Sequence, residues 1–212
     1  PSVTEGAFQV YSHANDGGIF ATGTSTANDL ISGTGGTGTQ DYNGVAFFAL
    51  PEQPMTSASL TLPVVTFSGV MSGANIDLWG LGYMTAPMLT TAWFCTNDVD
   101  SRLLLNGYPP VKLADNIVTS GQTSVSGNVW RPTVKQAEAL RWHLNGLYNR
   151  GAKPGDYAVI RINMDASQAG VSRGVRWGGS QQASPNNRAL LSGVFPVTAT
   201  YLVTAGFESG SG

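Results

Sequence analysis

Residues 195–207, FPVTATYLVTAGF, alternate so regularly between two kinds of side chain that an extended strand is the only regular element that suits them. Val197, Ala199, Tyr201, Val203, Ala205 and Phe207 fall on one face, and Thr198, Thr200, Leu202 and Thr204 on the other. A strand this long and half apolar is either central in a sandwich or available for pairing beyond its own domain. Four further runs share its β-branched and aromatic character: GVAFFAL (44–50), SASLTLPVVTF (57–67), NIDLWGLGY (75–83) and DYAVIRINM (156–164). Each is bounded by Gly, Pro, Asn or Ser, and turn-rich stretches such as 32–44 and 119–128 separate them. In ANIDLWGLGY (74–83), unbroken alternation puts Ile76, Leu78, Gly80 and Gly82 on one face and Asp77, Trp79, Leu81 and Tyr83 on the other.

One segment departs from period two. RPTVKQAEALRWHLNGLYNRG carries Thr133 and Gln136 at capping-box spacing and Gly151 as a stop, which predicts a helix around residues 133–150. Val134, Ala137, Leu140, Leu144, Leu147 and Tyr148 form its apolar stripe, Arg141 lies at the edge, and Trp142 and His143 fall off it. The expectation is an all-β, single-domain β-sandwich of jelly-roll type over residues 1–212, with one amphipathic helix inserted around residues 133–150. Residues 1–11 and 204–212 are candidate partner-contacting termini.

Composition narrows the function classes. Only 11% of the 212 residues are charged, against about 25% in an average domain. Three lysines and a net charge of −2 leave no basic patch to neutralise phosphates, so no nucleic-acid partner is expected. No apolar run is long enough to span a membrane as a helix. The start at Pro1 fits an exported, processed protein, located outside the cell or at its surface. Cys95, the lone cysteine, reads as a small buried hydrophobe.

GVAFFALPEQPMTSASLTLPV joins a strand ending at Leu50-Pro51 to Ser57-Ala58-Ser59-Leu60 through a short Pro-containing turn. That phrase resembles the strand junction of the extracellular DNRLRE-type jelly-roll domains of bacterial surface proteins, and is similar in kind to carbohydrate-associated jelly rolls. IDLWGLGY, the helix running into GAKPGDYAVIRINMDAS, and FPVTATYLV follow in the family's order, so the resemblance spans roughly residues 7–203. It implies an exported, non-catalytic jelly roll. The Asn-Arg-Leu-Arg-Glu phrase of the family is absent here, so no functional residue is carried over.

Catalytic constellations are scarce. His13 and His143 belong to no paired ligand motif, and there is no Gly-x-Ser-x-Gly elbow. Gly33, Gly35 and Gly38 satisfy Gly-x-Gly-x-x-Gly, but no helix pattern follows to present amides to a pyrophosphate. Asn97, Asp98 and Asp100 are the candidate calcium ligands, since a hard cation takes such oxygens. No other cofactor and no enzymatic activity are expected.

Two function classes remain. As a structural subunit, the chain would join copies of itself into a filament, sheath or surface layer, with Val3, Phe8, Val10, Tyr11, Trp142, Tyr201, Val203 and Phe207 as candidate contacts. As a carbohydrate-binding module, it would stack polysaccharide rings on Trp79, Tyr83 or Trp142. The low charge and the long C-terminal strand favour the first class.

Overall fold

A computed structural model describes residues 4–26, 29–34, 40–71, 73–102, 105–168 and 173–197. Twelve strands are seen among them: β1 (Thr4–Tyr11), β2 (Gly17–Phe20), β3 (Gly23–Thr26), β4 (Asp29–Thr34), β5 (Asp41–Ala49) and β6 (Ser57–Ser68) precede β7 (Ile76–Met84), β8 (Val111–Val118), β9 (Val129–Trp130), β10 (Tyr157–Met164), β11 (Gly174–Gly178) and β12 (Leu190–Val197). All pair antiparallel. Helix α1 (Val134–Asn149) lies between β9 and β10.

The pairings resolve into two sheets of a jelly roll. In sheet one, β12 and β11 pair in succession with β6, β1 flanks β12, β4 flanks β11, and β9 pairs with β6. β1 and β4 thus act as one interrupted outer strand, and β12 and β11 as its interrupted neighbour. Sheet two runs β5-β10-β7-β8, extended past β5 by the β2–β3 hairpin. With the divided strands counted once, every connection crosses between the sheets except β2 to β3 and β7 to β8. This is jelly-roll connectivity, and the β4–β5 bridge at Gly33↔Tyr42 and Thr34↔Asp41 makes the two sheets continuous.

The interruptions in sheet one are stapled by a single carboxylate. Asp16, fully buried, accepts from Ser12 Oγ at 2.6 Å and from the Ser180 amide and hydroxyl, both at 2.8 Å. Burial raises its pKa, and those hydrogen bonds and His13 only partly offset the rise.

The main core lies between the sheets: Phe48, Ile76, Leu78, Ile160 and Ile162 of sheet two face Leu60, Leu62, Trp177 and Leu191 of sheet one. α1 packs against β6, β8 and β7 and contributes Leu140, Leu144 and Leu147. Its start is the expected capping box, with both the Thr133 and the Gln136 side-chain bonds formed. Gly151 follows at φ +100°, a conformation that favours glycine. The buried face is rotated from the expected one, because Val134 is 83% exposed whereas His143 is buried. β7 explains the rotation: a Cβ at Gly80 would overlap the His143 imidazole, so the glycine opens the slot that the ring fills.

A bulge in β7 also overturns the expected grouping of Trp79 with Tyr83. Val159 pairs with Gly82 but Ile160 with Gly80, leaving Leu81 as the extra residue. Alternation resets there. Trp79 and Leu81 enter a second core with Ile19, Val45, Phe47, Trp93 and Val159, while Tyr83 packs on the first. Gly82 takes φ +133°, and a Cβ there would stand 2.7 Å from Leu105 Cβ.

Candidate functional site

The outer face of sheet two is closed by residues 85–102, which are held down by a buried charge network. Arg161, 0% exposed in β10, ion-pairs with Asp100 at 2.7 Å, donates to the Trp93 carbonyl at 2.7 Å and to Asn163 Oδ1 at 2.9 Å. Asp100 also accepts from Arg102 at 3.0 and 2.9 Å, and Arg102 in turn donates to the carbonyls of Ala92, Trp93 and Phe94. Burial pushes the Asp100 carboxyl up, but the Arg102 hydrogen bonds and the Arg161 charge more than offset it and hold it at about 2. A second cluster surrounds Lys112 Nζ, which lies 3.0 Å from Asp77, 2.9 Å from Asp115 and in contact with Asp98. Burial disfavours its charge, yet the three carboxylates push its pKa up.

Two of the three calcium candidates fall in these two clusters. Asp100 is turned to two guanidinium groups and Asp98 to Lys112, while Asn97 is exposed, so the three do not form one ligand set. Asp77, Asp98 and Asp165 do approach one another. Lys112 already supplies the cation to the first two, and Asp165 accepts from the Asn75 amide and side chain at 2.7 and 3.0 Å. Arg161 and Lys112 are the partners that local reading of CTNDVDSR did not supply. The signal for the first was an arginine inside the apolar run VIRINM, which demands a buried acid.

The aromatic candidates separate as sharply. Trp79 is 4% exposed, with Lys112 Nζ 5.2 Å and Arg161 Cζ 5.8 Å from its ring centroid, and offers no face to a sugar. Tyr83 is half-buried and donates its hydroxyl to the Arg150 carbonyl at 3.1 Å. Trp142 is open, 67% exposed with the Arg141 guanidinium 4.8 Å from its ring. Of the contact candidates, Phe8 and Val10 are half-buried in β1 and Tyr11 is 42% exposed. Val3, Tyr201, Val203 and Phe207 lie outside the described residues.

Two of the sheet edges, those at β8 and β1, differ in ways that bear on partners. β8, at the edge of sheet two, is broken by two register shifts, carries Lys112 and Asp115, and holds Asn116 at φ +54°. Each device discourages a further strand. β1, at the edge of sheet one, pairs with β12 over eight consecutive residues without a shift, and Glu5 is its one charge. The Ser12 amide donates to Ala189 O at 3.1 Å, continuing the ladder, so Gly6, Phe8 and Val10 bond inward by alternation. The backbone groups of Glu5, Ala7, Gln9 and Tyr11 therefore point to the open side, where β1 has no strand partner among the described residues. The end of β1 approaches β5, and just beyond it the His13 amide donates to Phe47 O at 2.8 Å.

The inner face beside this edge is incompletely covered. Phe8, Val10, Phe195 and Val197 are all half-buried, whereas Leu60 and Leu191 further in are sealed. Phe8 lies over Gly193 and Phe195 over Gly6, the two rings 6.3 Å apart. The outer face presents Ala7, Gln9, Ser192, Ser57 and Ser59 in register across three strands, with Val194, Leu190 and Tyr11 beside them and Glu5 as the one charge of β1. No protein-family model and no curated protein matches this chain.

Proposed function

We propose that the chain is a non-catalytic structural subunit, exported to the cell exterior, that assembles with copies of itself through the open edge of β1. The observation that carries this reading is the contrast of edges: β8 is guarded by charges and bulges, and β1 is regular, nearly uncharged and unpartnered on its outer side among the described residues. An added strand gains main-chain hydrogen bonds from Glu5, Ala7, Gln9 and Tyr11 and covers the half-buried Phe8 and Val10. The scarcity of charge on the adjoining face suits a dry contact.

Ala7→Pro tests it. Proline removes an outward amide and leaves the inward ladder to β12 intact. Light scattering and electron microscopy of the full chain are expected to show high-mass assemblies for the wild type and a folded monomer for Ala7→Pro. A wild-type chain that stays monomeric at high concentration overturns the proposal. A sugar-binding reading keeps one supporting observation, the open ring of Trp142. It requires retention on an insoluble polysaccharide that Trp142→Ala abolishes.

A further inference from the structure

Strand addition needs a donor, and the arrangement of sheet one points to which end of the chain supplies it. We infer that residues 198–207, TATYLVTAGF, of one copy add as an antiparallel strand to the open edge of β1 in the next copy. The inference rests on the assembly reading above and specifies its chemistry.

The N-terminal strand is already spent. β1 is paired along its whole length with β12 of its own chain, so it serves as acceptor. The segment after β12 carries the matching pattern. Ala199, Tyr201, Val203, Ala205 and Phe207 would continue the inner face, over Phe8 and Val10, which their own chain leaves half-covered. Thr198, Thr200, Leu202 and Thr204 would continue the nearly uncharged outer face made by Gln9, Ser192, Val194, Ser57 and Ser59. Both faces of the segment thus match both faces of the sheet at that edge, in the single register parity that strand addition allows.

The path of the chain favours a second copy over the same one. Val197 stands opposite Thr4, at the beginning of β1. An antiparallel neighbour on the other side of β1 must start opposite Tyr11, about 24 Å away at strand rise. Returning over that distance consumes about seven residues, which uses up the apolar stretch before pairing begins. Folding back at once would give only a parallel pair, whose slanted hydrogen bonds are weaker. A neighbouring copy meets neither limit. Each copy then carries one donor and one acceptor that are different surfaces, so the contact does not close and the product is a filament.

Two variants isolate the halves of the contact. Ala7→Pro spoils the acceptor and keeps the donor; Val203→Asp spoils the donor and keeps the acceptor. Each alone is expected to remain monomeric with an unchanged far-ultraviolet circular dichroism spectrum. Mixed one to one, they are expected to form a dimer and nothing larger, because a single intact donor meets a single intact acceptor. Thr204→Asp, on the opposite face, provides the control that still assembles. A wild type that assembles together with a Val203→Asp variant that assembles equally overturns this donor assignment and leaves the β1-edge reading standing. Failure of the mixture to dimerise also overturns it, including the case in which the segment folds back on its own β1. A wild type that never assembles removes both.

Discussion

Among the described residues, sheet two is covered on both faces and sheet one on its inner face alone, and the outward residues differ accordingly. Outward positions of sheet two are Val45, Phe47, Trp79, Val159 and Arg161, all buried under residues 85–102 and the β2–β3 hairpin. Outward positions of sheet one at β1, β12 and β6 include Ala7, Gln9, Ser192, Ser57 and Ser59, alongside Tyr11, Leu190, Val194 and the single charge of β1, Glu5. The same alternation therefore builds a three-layered half, in which a charge network fastens the third layer, and a two-layered half with few charges on its outer face and, among the described residues, an open edge at β1. The first half is closed on both faces, whereas the second keeps an open strand edge among the described residues, which is why the proposed partner surface is put there.

Substitutions in the covering network should have the largest effect. Asp100→Ala leaves the fully buried Arg161 without its counter-charge and should destabilise the protein by about 3–5 kcal/mol in denaturant unfolding. Pairing Asp100→Leu with Arg161→Met should restore most of the loss, since a well-packed apolar pair replaces the ion pair at little cost.

The plug between the sheets gives an effect that depends on pH. Burial, with a smaller contribution from the Arg150 charge, holds the His143 imidazole down at about 4, against an ordinary 6.5. The unfolded chain takes up that proton near pH 6.5 and the folded chain only near pH 4. Stability is therefore lost as pH falls across that window, by about 3 kcal/mol. Asp77 acts in the opposite sense. Burial holds its carboxyl up at about 6, despite the Asn116 amide and Lys112, so the folded form keeps a proton there that the unfolded form releases. His143→Met removes the first contribution and leaves the second. Its stability should rise between pH 6.5 and 4 relative to the wild type, and parallel pH curves for the two proteins would show that the ring is not held neutral.

The smallest effect sharpens the comparison from the other side. Ser59→Ala and Ser192→Ala, outward in sheet one, should change stability by no more than about 0.5 kcal/mol. A loss near that of Asp100→Ala would mean that this face is also covered within the single chain.

Much of the fold was legible in the sequence because periodicity and capping are local. The runs at 44–50, 57–67, 75–83 and 156–164 correspond to β5, β6, β7 and β10 within a few residues, and the Thr133–Gln136 box starts α1 where the spacing puts it. The run at 195–207 begins earlier than expected, with β12 starting at Leu190, and its residues from 198 lie outside the described ones. What could not be read depended on tertiary pairing. The Leu81 bulge, which parts Trp79 from Tyr83, is visible only against β10. The burial of His143 requires Gly80 on another element, and the fate of Asp98 and Asp100 was decided by Lys112 and Arg161, distant in sequence. The open edge had one local sign in the sequence, the single charge, Glu5, in TEGAFQVY.

The pairing of β1 with β12 has a kinetic consequence. Thr4 meets Val197, so the first described strand waits for the last one before it has any neighbour in its sheet. Contacts of such long sequence separation form late, after the loop-closure entropy has been offset by the inner strands. The edge of β1 proposed as a template would come into being only at that moment. A half-folded chain presents no acceptor, so growth by strand addition would select finished subunits and leave nascent ones alone. Order of folding would then serve as quality control for the polymer.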